Sequence, residues 1–344
     1  MSSFDERYSR QLILPEIGKK GQEKLSKAKV LIVGMGALGV PAALYLAGLG
    51  VGELTLMDDD SIEISNLSRQ IIYRTDQIGM SKVEAIALHI EKLNPEIRVN
   101  ALKEKFTDLN ALNLISKNDF TIDGSDNFST KFLINDASFF EKKPFSHAGV
   151  LGFEGQTMTV VNPDSPCYRC VFIEPPENGV VPNCSEAGIM GPIAGLIGTI
   201  QALEAVKSIV GIGDLLTGSI LTINAVSMSF RKIGFKKNPN CPLCGEKPTI
   251  TSCVASGVPV CDFKNQISPQ QTFLLTFKNN QSVMKAERFL KSKSVVVEPR
   301  VTPRQLSDEC GICLQVESSE IEHLKDALAT QNIEISRYGD FNTF

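Results

Sequence analysis

Two short cysteine pairs, Cys167-Tyr168-Arg169-Cys170 and Cys241-Pro242-Leu243-Cys244, carry the plainest chemistry in the sequence. In each, two residues separate the thiols, so one tight turn presents both sulfurs to the same point. Four thiolates from two such turns suit a closed tetrahedral zinc site, although a redox role for either pair is a second reading. A closed site offers substrate no coordination position, which makes the metal structural. A second set begins at Gly34-Met35-Gly36-Ala37-Leu38-Gly39. There Gly34, Gly36 and Gly39 would let backbone amides approach a phosphate at a helix N-terminus. Asp58 follows 19 residues after Gly39, where a carboxylate can accept hydrogen bonds from ribose hydroxyls. Together they predict nucleotide binding, which a dehydrogenase and a nucleotidyl transferase share.

The residues beyond Asp58 separate those two. Ser65-Asn66-Leu67-Ser68-Arg69-Gln70, Gly79-Met80-Ser81-Lys82-Val83-Glu84 and Asp123-Gly124-Ser125-Asp126-Asn127 supply Asn66, Arg69, Lys82 and Asp126. Hydride transfer has no need of such a set. Attack on a triphosphate needs cations on the phosphates and a carboxylate for Mg²⁺.

These residues need elements to hold them. Residues 29–33 form a β-branched apolar run ending at Gly34, and residues 40–49 continue as a helix. A second strand over 53–57 ends in Asp58-Asp59-Asp60, residues 83–93 repeat apolar side chains at helical spacing, and residues 119–123 form a further strand. Strand and helix alternate, so a parallel sheet with helices on both faces is expected, its ligands at the carboxyl ends of the strands. Residues 156–161 and 219–224 read as strands around a small-residue helix containing Gly191, Gly195 and Gly198. Pro175 to Gly179 marks a loop, and periodicity disappears between about 245 and 271. Beyond it the pattern is strand 272–277, helix 282–290, strand 294–298, strand 312–316, helix 320–330 and strand 334–337.

The chain has 344 residues, 42% of them hydrophobic, which allows two domains with ordinary cores. Its 35 basic against 39 acidic residues, a net charge of −4, give no electrostatic footprint for nucleic acid. The first residues are charged where an export signal would be apolar, and the apolar run from Ala187 to Leu203 is short for a bilayer and holds Pro192. A cytoplasmic protein with no membrane partner is expected. Nine cysteines then point to metal or sulfur chemistry rather than a disulfide framework.

With Arg7-Tyr8-Ser9-Arg10-Gln11, Asp58-Asp59-Asp60 and Phe153-Glu154-Gly155-Gln156 added to these motifs, the sequence resembles the bacterial adenylyltransferases of molybdopterin and thiamine-thiazole synthesis, relatives of the ubiquitin-activating enzymes. The resemblance covers about residues 4–246. It implies an α/β fold: a Rossmann-like mixed sheet with helices on both faces and a zinc knuckle site. It also implies ATP-dependent adenylation of the C-terminal Gly-Gly carboxylate of a ubiquitin-like sulfur-carrier protein. Attack on the α-phosphorus releases pyrophosphate, and the acyl-adenylate is primed to become a thiocarboxylate. By the same resemblance Asp58 holds the ribose, Asn66, Arg69 and Lys82 the phosphates, and Asp126 the Mg²⁺. Arg10 is similar to an arginine finger delivered across a homodimer interface, and Cys184 stands where the thiazole branch places a sulfur-handling cysteine. Lys131 departs from the family, whose members commonly carry arginine there; bidentate pairing is lost if that position touches a carboxylate.

Residues 272–339, with Pro299-Arg300, Pro303-Arg304 and Asp308-Glu309-Cys310-Gly311-Ile312-Cys313, resemble a family of small domains proposed to carry sulfur or selenium. Cys310 and Cys313 are therefore candidates for a sulfur relay, loaded by a donor such as a cysteine desulfurase; an inert pair or an oxidoreductase disulfide is the alternative. Cys253 and Cys261 could relay sulfur or do nothing. His89, His147 and His323 form no constellation; His147, near Gly149, reads as structural first and as a residue approaching the site second. The expected organisation is an adenylyltransferase domain over 1–246, a linker over 247–271 and a small C-terminal α+β domain over 272–344. Two alternatives to that activity are an NAD-dependent dehydrogenase and a zinc-stabilised module that binds a carrier without activating it.

Overall fold

The structure is a computed structural model that describes residues 3–175, 188–253, 271–277, 280–292, 297–301, 312–318, 325, 328–330, 333 and 335–340. Cys184, Cys261, Cys310, His323 and most of the 175–179 loop lie outside them. The chain divides into two units, Met1–Val258 and Pro259–Phe344.

The first unit opens with three helices, α1 (Ser3–Arg7), α2 (Ser9–Leu12) and α3 (Gly18–Lys27), and then alternates. The alternating part runs β1 (Lys29–Val33), α4 (Gly39–Leu49), β2 (Glu53–Met57), α5 (Lys82–Leu93), β3 (Arg98–Leu102), α6 (Asp108–Ser116), β4 (Phe120–Asp123), α7 (Phe128–Phe140) and β5 (Phe145–Leu151). Next come β6 (Glu154–Val160), α8 (Gly191–Val210), β7 (Ser219–Asn224) and β8 (Ser229–Gly234). The sheet order is β3-β2-β1-β4-β5-β6-β7-β8. Pairing is parallel from β3 to β5 and antiparallel from β5 to β8, which makes the sheet mixed. Strand order reverses between β1 and β4, where open α/β sheets form their ligand crevice.

Alternation along the strands sorts the cores. Val30, Ile32, Phe120 and Ile122 face α4, α5 and α8, while Leu31 and Val33 face α6, α7 and the cysteine pairs. Because successive side chains point to opposite faces, Thr121 and Asp123 of β4 are turned to the α7 side.

The apolar run expected at Ala187–Leu203 is instead the helix Gly191–Val210, long and apolar enough by length and composition to cross a membrane. Two of its buried polar residues reach out to the strands and the turn beside them. Gln201 donates to the carbonyls of Asp123 (2.9 Å) and Ser146 (3.0 Å), and Glu204 accepts from Thr159 Oγ1 (2.6 Å) and the Leu216 amide (2.8 Å). Gly198 lets α8 meet α4, since a Cβ there would stand 2.2 Å from the Leu38 carbonyl oxygen and 2.8 Å from Pro41 Cγ. Backbone cannot yield as a side chain does. Gly198→Ala should therefore cost about 1–3 kcal/mol, read as a lower midpoint in chemical denaturation with unchanged slope.

The second unit is an antiparallel sheet, β10-β11-β9-β12, built from β9 (Gln271–Phe277), β10 (Val297–Val301), β11 (Ile312–Ser318) and β12 (Ile335–Asp340). Helix α9 (Asn280–Ser292) buries Val283, Ala286 and Leu290 in one core with Phe273, Leu275, Leu314 and Val316. The sequence reading places the second strand of this unit at 294–298, three residues early. Its register is fixed by pairing with β11, Val297 opposite Val316 and Val301 opposite Ile312. Pro299 sits within it, tolerated because β10 is the sheet's edge.

Candidate active site and metal centre

The carboxyl ends of β1, β2 and β4 converge on the crevice. Gly34 adopts φ +93°, and a Cβ on it would lie 2.6 Å from the Gly124 carbonyl oxygen, so the two strand-end loops touch through backbone alone. A Cβ on Gly39 would lie 1.8 Å from the Gly34 carbonyl oxygen, which closes the turn onto the start of α4. Around Gly36 the nearest atom to such a Cβ is Gln70 Nε2 at 3.7 Å. The middle glycine thus leaves room for a ligand, whereas the outer two are needed for packing.

Asp58 follows β2 and braces this loop. One carboxylate oxygen accepts from the Met35 amide (2.6 Å) and the other from the Asp60 amide (2.9 Å). Burial raises its pKa above the ordinary carboxylate range, opposed by the charge of Lys82. Tyr73, which the sequence reading misses, donates to the Met35 carbonyl (2.9 Å) and tethers the far side of the same loop. Only its burial in the structure identifies it. Lys82, itself buried, donates to Asp60 Oδ2 (2.8 Å), leaving two of its three donors for a phosphate. Asn66 caps its own turn by accepting from the Glu63 amide (3.1 Å), and Arg69, half-exposed, donates to the Ser65 carbonyl (2.9 Å). A Cβ on Gly191 would lie 3.1 Å from Arg69 Cα, so the Arg69 turn rests on the start of α8.

Asp126 is exposed just beyond β4, and among the described residues no hydrogen bond or ion pair holds it. A free carboxylate at a ligand crevice is a suitable donor for a hard cation such as Mg²⁺. The neighbouring Asp58-Asp59-Asp60 carboxylates also approach within 4.8 Å of one another. Two of those three are already engaged, Asp58 by backbone amides and Asp60 by Lys82.

Arg10 stands apart. It is exposed on α2, whose neighbours anchor it at the far end of α4: Gln11 donates to the Leu49 carbonyl (3.3 Å), and the Tyr8 ring packs where a Cβ on Gly50 would be 2.6 Å away. Tyr8 also receives a hydrogen bond from Asn94 (2.8 Å). The glycine turn opens α4 and α2 is anchored at its close, the two ends of that helix lying about 15 Å apart at 1.5 Å per residue.

The four sulfurs of Cys167, Cys170, Cys241 and Cys244 lie within 4.8 Å of one another. Neighbouring pairs are 3.3 Å (Cys170–Cys244), 3.6 Å (Cys167–Cys241) and 3.9 Å (Cys167–Cys170) apart. Zinc–sulfur bonds of about 2.3 Å in a tetrahedron separate the sulfurs by about 3.8 Å, whereas a disulfide needs about 2.05 Å. The set fits zinc. Between the first two thiols, Arg169 forms a buried bidentate pair with Asp136 (2.7 Å for both bonds) and lies 4.6 Å over the Phe132 ring, which welds the knuckle to α7.

Of the remaining cysteines, Cys253 and Cys313 lie among the described residues. Cys253 packs against the core beside this site, and burial first, then the charges of Asp136, Asp108 and Glu141, push its thiol up to about 12. It is a poor nucleophile at neutral pH. Cys313 lies on β11 with its side chain fully buried beside Leu274, so it is not an accessible relay thiol in this conformation.

Residues 8–243 match the ThiF family, and residues 272–338 match a family described as "Putative Se/S carrier protein-like". Over 241 residues, 70% of this chain and 89% of the relative, the sequence is 43% identical to a SAMP-activating enzyme E1 of Haloferax volcanii. It is 42% identical to a sulfur carrier protein adenylyltransferase of Thermus thermophilus over 249 residues, 71% of this chain and 92% of the relative. Among solved structures, E. coli MccB with ATP superposes with a TM-score of 0.60 at 26% identity, covering 70% of this chain and 74% of that one. The phosphate-ready glycine turn, the braced Asp58 and the cysteine tetrad all fall inside the matched span, and the chain belongs to the ThiF family.

Proposed function

We propose that this protein uses ATP to adenylate the C-terminal Gly-Gly carboxylate of a ubiquitin-like sulfur-carrier protein. The observation that carries the reading is the crevice itself, where an open Gly36, a buried Lys82 and an Asp126 carboxylate unpaired among the described residues accompany Asp58. Relatives named as sulfur-carrier adenylyltransferase and SAMP-activating enzyme support it.

In this reading Asp58 accepts the ribose hydroxyls, the turn at Gly34, Gly36 and Gly39 cradles phosphate, and Asn66, Arg69 and Lys82 offset its charge. A Mg²⁺ held by Asp126 would screen the phosphates against the incoming carboxylate. The carboxylate oxygen forms a bond to the α-phosphorus, the bond to the bridging oxygen breaks, and pyrophosphate leaves. Electrostatic positioning supplies most of such a barrier reduction.

The anchoring of α2 at the end of α4 opposite the glycine turn favours a homodimer in which each protomer lends its Arg10 to the other's site. Sulfur enters next. A persulfide, on Cys184 or on Cys310 of the second unit after loading by a desulfurase, displaces AMP through its terminal sulfur. A second thiol then cleaves the acyl disulfide, leaving the thiocarboxylate and a protein disulfide. Fusing the sulfur-bearing unit to the adenylating one raises the effective concentration of persulfide at the adenylate. A reducing cytosol suits both thiols and zinc.

ATP–pyrophosphate exchange with purified protein and a panel of Gly-Gly carriers tests the proposal. Exchange should appear only with a carrier, and the carrier that works distinguishes molybdopterin, thiazole, transfer-RNA thiolation and amino-acid sulfur pathways. Absence of exchange with every carrier, in zinc-loaded protein that binds ATP, would overturn it.

A further inference from the structure

Beneath the Asp126 loop lies a buried charge cluster built from four elements. Asp123, at the end of β4, is fully buried. Its Oδ1 accepts from the Ser125 amide (3.1 Å) and hydroxyl (2.6 Å), and its Oδ2 accepts from Lys131 Nζ of α7 (3.0 Å) and His147 Nδ1 of β5 (2.8 Å). Lys131 donates its other two protons to the carbonyls of Ser125 (2.7 Å) and Ala148 (2.7 Å). Three acceptors thus surround an ammonium with three donors, a geometry that a point charge satisfies and a planar fork does not. Gln201 of α8 closes the set from behind by donating to the Asp123 carbonyl.

The consequence falls on one residue. Ser125 is held at its amide, hydroxyl and carbonyl, and Gly124 before it is pinned against Gly34 and Gly39, where a Cβ would lie 2.8 Å from the Gly34 carbonyl oxygen. Asp126 is the next residue and the first that no hydrogen bond or ion pair holds among the described residues. We propose that Lys131 is a positioning residue for the adenylation site, fixing the Asp126 carboxylate through Ser125 without touching substrate, and that His147 is its partner on Asp123. This rests on the assignment of Asp126 to Mg²⁺ made above.

Charge balance explains why both cations need not be charged. Lys131 and the hydrogen bond from His147 outweigh the upward push of burial and hold Asp123 at about 2. Burial, reinforced by the Lys131 charge against the pull of Asp123, keeps His147 below the ordinary imidazole range and so neutral at pH 7. Among the described residues the titratable groups facing His147 are Asp123, Lys131 and Tyr168, whose ring centroid is 4.4 Å away and whose phenol is neutral. Removing the ammonium leaves Asp123 with His147 as its remaining source of positive charge. The imidazole pKa must then rise, so the charged pair forms at low pH and is lost as pH climbs through it.

The experiment compares wild type, Lys131→Met, the double variant Lys131→Met/His147→Gln, and the milder Ser125→Ala. The readouts are melting temperature, binding of Mg²⁺ with a non-hydrolysable ATP analogue, carrier-dependent exchange, and the His147 ring titration by NMR. Lys131→Met should weaken Mg²⁺ binding in the presence of nucleotide and lower exchange at pH 8 by about 30–100-fold, with carrier affinity unchanged. It should recover at least several-fold near pH 6 as His147 protonates, and the double variant should not recover. Ser125→Ala, which keeps every charge, should weaken Mg²⁺ binding by about 3–10-fold. Folded Lys131→Met or Ser125→Ala with wild-type Mg²⁺ binding would overturn the positioning role. So would Lys131→Met exchange that falls equally at every pH. If Asp126→Ala also binds Mg²⁺ normally, the error lies in the magnesium assignment rather than in the cluster.

Discussion

Asp126→Ala is expected to lower carrier-dependent ATP–pyrophosphate exchange by about 10²–10³-fold, the scale set by losing one well-placed electrostatic contact to the reacting phosphates. The side chain is exposed and unpaired among the described residues, so its removal breaks no hydrogen bond of the fold and the melting temperature should hold. A stability loss comparable to a core substitution would instead mean that Asp126 is structural. The stabilisation that ATP gives in a thermal shift should become nearly independent of added Mg²⁺, because differential binding alone moves the midpoint. Mixing Asp126→Ala with Arg10→Ala then tests the second half of the reading. Neither variant alone should exchange well. Random pairing puts half of the chains in hybrid dimers, each with one intact site built from the two healthy residues, so about a quarter of wild-type activity should return. No recovery after verified subunit mixing would place Arg10 in its own protomer's site.

What the sequence made legible follows from how local the constraint is. β1, the glycine turn and α4 are readable because an apolar run, three glycines and a helical repeat are contiguous, and each glycine does something a Cβ would prevent or leaves room for a ligand. The cysteine tetrad is readable because thiols have few other uses at that spacing. β3 and β8 escape notice because both are edge strands with exposed polar residues, so neither presents a two-sided apolar run. β5 hides for another reason: Ser146 and His147 interrupt its apolar character, and the partners that hold them, on β4, β6 and α8, lie outside any local window.

Lys131 is the most instructive residue. As a departure from arginine it suggests a lost bidentate contact, yet its ammonium meets one carboxylate and two carbonyls and lacks nothing. A substitution's meaning depends on the acceptors around it, and those come from residues 123, 125 and 148. The same limit applies to Cys313. Spacing after Cys310 makes it a relay candidate, whereas its place on β11 turns the thiol into a packed side chain.

Stripping zinc is expected to be the most damaging change to the fold. The two knuckles bring residues 167–170 and 241–244 together through their sulfurs, through hydrogen bonds such as that from the Asn238 amide to Cys170 Sγ (3.4 Å), and through an apolar core that both segments enter. Structural zinc contributes binding energy of about 10–16 kcal/mol in small isolated domains. Here part of that must remain as folding stability, since four buried or half-buried thiolates cannot stay close together without a cation. A strong chelator at moderate temperature should therefore release about one zinc per chain, lower the melting temperature by roughly 10 °C or more, and expose the core that Phe132, Tyr168 and Leu243 share. Cys170→Ser should reproduce the effect more mildly, because three ligands can still hold the metal with a weaker fourth. The Arg169–Asp136 pair sets the direction of failure. Once the knuckle opens, a buried carboxylate on α7 loses its partner, a loss that costs about 3–5 kcal/mol when one member of such a pair is removed. Because α7 also carries Lys131, exchange should decline before global unfolding is complete, at chelator concentrations where circular dichroism is still native. If activity and helical signal instead fall together, the zinc site and the nucleotide crevice belong to one cooperative unit and α7 transmits nothing separately.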